Sequence, residues 1–380
     1  MPSHGFSSPF AKLVTVLLLL FGFLLGVKGL GEGFKLLGGG ALETIFSATE
    51  NPFVSLIVGI LATTLVQSSS VTTAIIVGLV AAPESSLPLA NAVPMIMGAN
   101  IGTTVTCTVV ALAHIGRRDE FERAFPVAVC HDVFNYVTVA VLLPLEIMTG
   151  YLQHTARTIG SRLDGIRGVD FDSPLATALS RTLEPLETFL ALLFSAPQTQ
   201  GFALIVLAGG MIFTTLFWLV KVMRSLVRTK VEVLVTNVLG SNAVLSIMVG
   251  VVVTVMVQSS SITTSLLVPL GAAGLLRLEQ ALPITIGANI GTTVTAFLAA
   301  LAASGANAVH GIEIALVHLF FNLTGLIMIY PLRFTRNVPL RAARFLTTLA
   351  LRSRKLTLFF VAAFFYGVPM LLLLVDRLFG

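Results

Sequence analysis

The 380-residue chain is 56% hydrophobic and only 11% charged, with a mean hydropathy of +0.95. Soluble domains carry roughly 25% charged residues, so this composition excludes an ordinary soluble protein and points to a polytopic membrane protein. The net charge of +5 gathers in short segments between apolar runs, a topology signal rather than a nucleic-acid footprint, and the two lone cysteines, Cys107 and Cys130, make no disulfide framework.

In chain order, the first apolar run is Leu13–Leu30. No small-residue cleavage pattern follows it, so it reads as a span and not a signal peptide. Glu43 and Glu50 come next, suited to a helix end or an interface. Residues 53–82 enclose TLVQSSSVTTA, Thr64–Ala74. One helix over them would be about 45 Å long, too long for a hydrocarbon core of roughly 30 Å. Broken at the serines, each part is half a span. A re-entrant hairpin over 53–82 is predicted, with Gln67–Ser70 as its tip and a half-helix starting at Val71. Such backbone is tolerated at membrane depth only when buried in protein or lining a cavity. Spans at 88–113 and 121–145 follow, carrying GANIGTTVT (Gly98–Thr106) and HDVFN (His131–Asn135), with Arg117, Arg118 and Arg123 near their junction. The connector 146–200 mixes charges and is expected to hold amphipathic helices on the extracellular or periplasmic surface.

The same order then returns. After a span at 201–220 and a basic loop with Lys221, Arg224, Arg228 and Lys230, a second hairpin is predicted over 242–273. It contains MVQSSSITTS, Met256–Ser265, with Gln258–Ser261 as the tip. Spans at 278–303 and 312–332 carry GANIGTTVT (Gly287–Thr295) and HLFFN (His318–Asn322). The three motifs recur at offsets of 191, 189 and 187 residues, so the chain is a duplication, 12–145 and 201–332. Arg333, Arg336, Arg341, Arg344, Arg352, Arg354 and Lys355 mark a basic cytoplasmic loop, followed by a final span at 357–378. The loop with Arg117 and Arg118 is basic, whereas its counterpart Ser304–Gly311 has no Lys or Arg. Equivalent loops then lie on opposite sides, provided neither hairpin crosses. The predicted fold is an all-α polytopic membrane protein with two inverted-topology repeats, each holding a re-entrant hairpin and broken helices. Secondary transporters are built this way.

The polar clusters suggest ion binding. Serines suit N-caps, and the start of a half-helix offers free N–H groups and a positive dipole end to an anion. The half-helices ending near Gln67 and Gln258 offer unpaired carbonyls that suit a hard cation such as Na⁺. Asn100, Asn289, Thr103, Thr104, Thr292 and Thr293 add donors and acceptors. Gly98, Gly102, Gly287 and Gly291 match close helix contacts. No Lys or Arg lies between Leu36 and Gly116, and only Arg277 between Val231 and Leu332. A divalent anion held there has no basic counter-ion, so co-bound metal cations would supply the charge. His131, His318, Asn135 and Asn322 recur at i, i+4 and are read as supports of the hairpins. Asp132, an intramembrane acid, has Leu319 as its repeat partner and so stands outside any symmetric site. A proton-coupled carrier or channel-like anion permease would use the same tips. An intramembrane enzyme on a phosphorylated lipid would need an acid–base pair beside the serines, and none is there, so the chain reads as a non-enzyme.

The paired QSSS motifs, the paired GANIGTTVT and the run RRDEFERAF…HDVFNYVTVAVLLPLE closely resemble the type II sodium-dependent phosphate cotransporters, over nearly the whole chain. The resemblance implies Na⁺-driven import of inorganic phosphate by a multi-pass protein of the cell membrane, here a bacterial inner membrane. It implies phosphate at Gln67, Ser68, Ser69, Ser70, Gln258, Ser259, Ser260 and Ser261, with Asn100, Asn289, Thr104 and Thr293. It implies Na⁺ at Gln67, Ser68, Thr72, Thr73, Asn100, Gln258, Ser259, Ser260, Thr263, Thr264 and Asn289. The lipid bilayer and the two ions are the expected partners, and nucleic acid is not. Two departures stand out. Animal members carry a long glycosylated, disulfide-bearing loop between the halves, whereas residues 146–200 contain no cysteine. The span count places the C-terminus outside, opposite to the family's usual drawing.

Overall fold

A computed structural model describes residues 9–37, 49–82, 87–167, 174–238, 242–303, 307–367, 369–371 and 374. Every regular element among them is helical. Among the described residues, six helices are long and apolar enough to cross a membrane: Ala11–Leu37, Leu89–Leu112, Arg118–Thr149, Pro197–Met223, Leu278–Ala300 and Ala308–Ile329. The chain is an all-α polytopic membrane protein. Its outer surface agrees: Leu18 is 67% and Phe213 47% exposed, while Asn135, His131 and His318 are at most 1% exposed. Lipid needs no shielding from leucine, but buried polar groups must find partners inside.

The first half runs α1 (Pro9–Leu37), α2 (Pro52–Val66), α3 (Ser69–Val80), α4 (Leu89–Thr103), α5 (Val105–Leu112), α6 (Arg118–Thr149) and α7 (Tyr151–Arg167). After α8 (Pro174–Leu193), the second half repeats the order with α9 (Pro197–Val238), α10 (Ala243–Val257), α11 (Ser260–Ala272), α12 (Leu278–Ala300), α13 (Ala308–Ile329) and α14 (Arg333–Ala350). Helix α15 (Arg354–Ala362) ends in a π-helical turn, Ala363–Gly367.

Both predicted hairpins are pairs of short helices. Asn51 and Asn242 cap α2 and α10, their side chains accepting the N–H of Phe53 and Leu245 at 2.9 Å. Gln67 and Gln258 end those helices in the left-handed region, at φ 58° and 57°. Ser68 and Ser259 then cap α3 and α11 by accepting from Val71 and Ile262. The tips are therefore tighter than the sequence suggested. Each is a glutamine and one serine, and the half-helix starts at Ser69, not Val71, because the extended Ser68 is itself the N-cap and accepts the N–H of Val71.

The two arms of each hairpin pack on different partners. The first arms lie against their own half, α2 on α4 and α10 on α12. Glycines set that spacing: a Cβ at Gly98 would stand 2.0 Å from the Leu56 carbonyl oxygen, and one at Gly287 2.0 Å from that of Ile247. The second arms also reach the other half, α3 onto α12 and α13, α11 onto α5 and α6. Their far ends are tied there too. Asn307 donates to the Ala82 carbonyl at 2.6 Å, and Arg123 Nε to the Ala272 carbonyl at 2.9 Å.

Several stretches differ from the expected loops. Lys221, Arg224, Arg228 and Lys230 sit within α9, and Arg333–Ala350 is an amphipathic helix. Arginine and lysine are good helix formers, so charge alone did not mark a loop. The connector holds helices as expected, α7 and α8. Glu146, at the end of α6, accepts the N–H of Leu152 at 2.6 Å and of Gln153 at 3.1 Å, which turns the chain into α7. The expected broken helix occurs only in the first half, where Thr104 separates α4 from α5; α12 runs through. Glu43, residues 304–306, residues 168–173 of the connector and part of the final span lie outside the described residues.

Candidate functional site

Each tip glutamine closes its own helix. Gln67 donates its backbone N–H to the Thr63 carbonyl at 2.8 Å and its side-chain Nε2 to that of Thr64. Gln258 does the same toward Thr254 and Val255. With the amide nitrogen held this way, Oε1 faces outward. There it accepts a hydroxyl, from Thr106 on Gln67 and from Thr295 on Gln258, both at 3.3 Å. Thr106 and Thr295 are the final residues of the two GANIGTTVT copies. Sequence reasoning passed them over, although their place in an identical repeat was the available signal.

The serines and threonines of the motif face inward. Ser69, Ser70, Thr72, Thr73, Ser260, Thr263 and Thr264 are all at most 6% exposed, and Ser261 is half-buried. Thr72 and Thr263 donate to the carbonyls of Ser68 and Ser259 at 3.2 Å, and Thr264 to Ser260 at 2.8 Å. In the second hairpin Thr254 also donates to Thr263, at 2.9 Å. In the first hairpin Thr63, the counterpart of Thr254, and Thr73, the counterpart of Thr264, are buried hydroxyls without a partner among the described residues. The N–H groups of Ser69, Ser70, Ser260 and Ser261 lie in the first turn, where helix geometry supplies no acceptor.

Thr106 and Cys107 are consecutive, and they join the hairpins. Thr106 meets the first tip. Cys107 Sγ donates to Thr264 Oγ1 at 2.9 Å, one turn beyond the second tip. The tips differ in openness: Gln67 is exposed and Gln258 half-buried.

Asn100 and Asn289 sit behind this, in a network that crosses between the halves. His131 Nε2 donates to Asn289 Oδ1, and Asn289 Nδ2 to Asn135 Oδ1, both at 2.8 Å. Asn135 Nδ2 reaches the Asn100 carbonyl at 2.9 Å. On the other side Asn322 Nδ2 donates to Asn100 Oδ1 at 3.2 Å, with His318 Nε2 at 3.4 Å. The histidines and asparagines expected to support the hairpins thus hold the two GANIG helices. Thr103, Thr104, Thr292 and Thr293 bond their own helix carbonyls at 2.8–3.0 Å, which leaves only hydroxyl lone pairs to a ligand. Asp132 accepts from Thr108 at 2.9 Å, and its other oxygen is buried without a partner among the described residues.

A family model described as Na⁺/Pi-cotransporter matches the chain twice, over residues 22–163 and 211–353. The chain is 34% identical to sodium-dependent phosphate transport protein 2A of Rattus norvegicus over 429 residues, covering 95% of this chain and 67% of that protein. It is 31% identical to sodium-dependent phosphate transport protein 2B of Homo sapiens over 446 residues, covering 94% of this chain and 64% of that protein. No solved structure matches.

Proposed function

The chain belongs to the Na⁺/Pi-cotransporter family, a family of transporters and not enzymes, and from that premise we propose that it imports inorganic phosphate together with Na⁺ by alternating access. Phosphate sits against the N-termini of α3 and α11, on the N–H groups of Ser69, Ser70, Ser260 and Ser261 and the hydroxyls of Ser68, Ser69, Ser259 and Ser260. Na⁺ sits where α2 and α10 end, among the last carbonyls, Gln67 and Gln258 Oε1, and the hydroxyls of Thr72, Thr73, Thr263 and Thr264. Asn100 and Asn289 complete the lining, with Thr104 and Thr293 lending lone pairs. The two halves have opposite topology in the membrane, and each contributes one tip to a single central site.

The observation that carries this reading is the matched pair of tips. Two left-handed glutamines and two serine caps, in two halves of one chain, each place helix-end carbonyls beside helix-start N–H groups. One end attracts a cation and the other an anion. With no Lys or Arg in either QSSS or GANIGTTVT segment, Na⁺ arriving first lowers the cost of admitting the anion.

The test is phosphate accumulation in proteoliposomes under an inward Na⁺ gradient. Ser69→Ala and Ser260→Ala abolish it while folded protein is recovered normally. Unchanged uptake in those variants overturns the site, and uptake indifferent to the Na⁺ gradient overturns the coupling.

A further inference from the structure

Away from the tips, a cavity of about 370 Å³ lies between α6, α14 and α15. Phe125, Val129 and Val133 of α6 form one wall, Leu346 and Ala350 of α14 a second, and Phe359 of α15 a third, with Phe364 and Phe365 of the π-helical turn beside it. The hydrogen-bonded pair Thr108 and Asp132 is the chief polar part of the lining, with Tyr136 and Thr357. From Phe125 to Tyr136 the wall runs about 16 Å along the helix, close to half of a roughly 30 Å hydrocarbon core. That is the depth of one leaflet.

One end of the cavity is bordered by a basic turn. Thr357 donates to the Ala350 carbonyl at 2.9 Å, and both residues line the cavity. The chain between them carries Arg352, Arg354 and Lys355, all exposed. Arg354 reaches the Gly116 carbonyl at 3.2 Å, which sets this turn beside the start of α6, where Arg117 and Arg118 are exposed. The acidic groups there are Asp119, Glu120 and Glu122; Glu120 pairs with Arg117. With Arg123, six basic residues face three acidic ones, a net +3. The amphipathic α14 brings further arginines, of which Arg344 pairs with Glu279.

We propose that this cavity binds one acyl chain of an anionic phospholipid, whose headgroup is held by Arg352, Lys355 and Arg118. Apolar walls of one-leaflet depth recognise the chain, and the basic turn at their end recognises the phosphate and its negative charge. A polybasic turn at a membrane surface attracts anionic lipid by about 1 kcal/mol for each side chain, so Arg352 and Lys355 alone favour an anionic over a zwitterionic headgroup by more than about tenfold.

The test uses the full chain in nanodiscs containing phosphatidylglycerol or phosphatidylcholine with a photoactivatable group in the acyl chain. Labelling is expected at Phe125–Tyr136, Leu346–Ala350 and Phe359–Phe365, with phosphatidylglycerol outcompeting phosphatidylcholine about tenfold. Val129→Trp, or Leu349→Trp if the first folds poorly, fills the cavity and removes this labelling while that of lipid-facing Leu207 and Phe213 persists. Arg352→Glu with Lys355→Glu removes the headgroup preference but keeps the chain. Labelling spread evenly over all lipid-facing helices overturns the proposal. So does cavity labelling unchanged by tryptophan in a folded variant, or a double glutamate variant that still prefers phosphatidylglycerol.

Discussion

His131 donates to Asn289 across the junction of the two halves at 2.8 Å, whereas the reciprocal pair, His318 and Asn100, stands at 3.4 Å. The network is lopsided elsewhere too. Asn135 uses both ends of its amide, while Asn322 Oδ1 is buried without a partner among the described residues. Asn135→Leu strands a buried donor on Asn289 and an acceptor on Asn100, at about 1–3 kcal/mol each. Thermal unfolding in detergent should therefore show a larger fall in midpoint for Asn135→Leu than for Asn322→Leu. Equal falls, or the reverse order, would contradict the asymmetry.

Gly98→Ala and Gly287→Ala place a methyl group on a backbone oxygen 2.0 Å away. The helices must separate, at a cost of about 1–3 kcal/mol or more. Both variants are expected to lose most of their monodisperse peak in size-exclusion chromatography. Gly209→Ala meets nothing within 4 Å and should elute like the parent.

Gln67→Gly and Gln258→Gly isolate the amide from the backbone. Glycine takes the left-handed conformation freely, so the tip should keep its shape while losing its oxygen. Sodium-dependent uptake is expected to fall at least about tenfold, the effect of one interaction worth roughly 1.4 kcal/mol, with no loss of thermal stability. Uptake equal to the parent in both variants would remove glutamine from the site.

Thr106→Val and Thr295→Val keep side-chain shape and delete the hydroxyl that each glutamine oxygen accepts. If that bond aims the amide, the apparent Na⁺ affinity should drop about tenfold, as expected for one lost hydrogen bond of about 1.4 kcal/mol. The unfolding midpoint should stay put. A fall in stability with unchanged Na⁺ dependence would make these threonines purely structural.

Much of this arrangement was legible in the chain. Two identical nonapeptides and two QSSS motifs at nearly constant offset announced the duplication, and apolar runs too long for one span and too polar at the centre announced the hairpins. Other features were not. The glycine pairs GxxxG suggested a close contact but not its partner, because the facing residues, Leu56 and Ile247, are ordinary apolar positions. The roles of Asn100 and Asn289 were hidden because the partners of their side-chain oxygens lie across the duplication, on the opposite copy of the HxxxN motif. Basic stretches looked like loops because topology rules weigh charge, while the backbone of Arg333–Ala350 follows its 3.6-residue periodicity instead. Identical motifs also gave no hint that Gln67 would be open and Gln258 half covered.

Each hairpin straddles the molecule: one arm is cemented to its own half by glycine contacts, and the other is moored in the opposite half by Asn307 or Arg123. Neither half can then slide or rock against its twin without changing the angle between the arms. The glutamine at the apex is the pivot of that angle, so a small relative displacement of the halves is delivered as a reshaping of the very point where carbonyls and N–H groups converge.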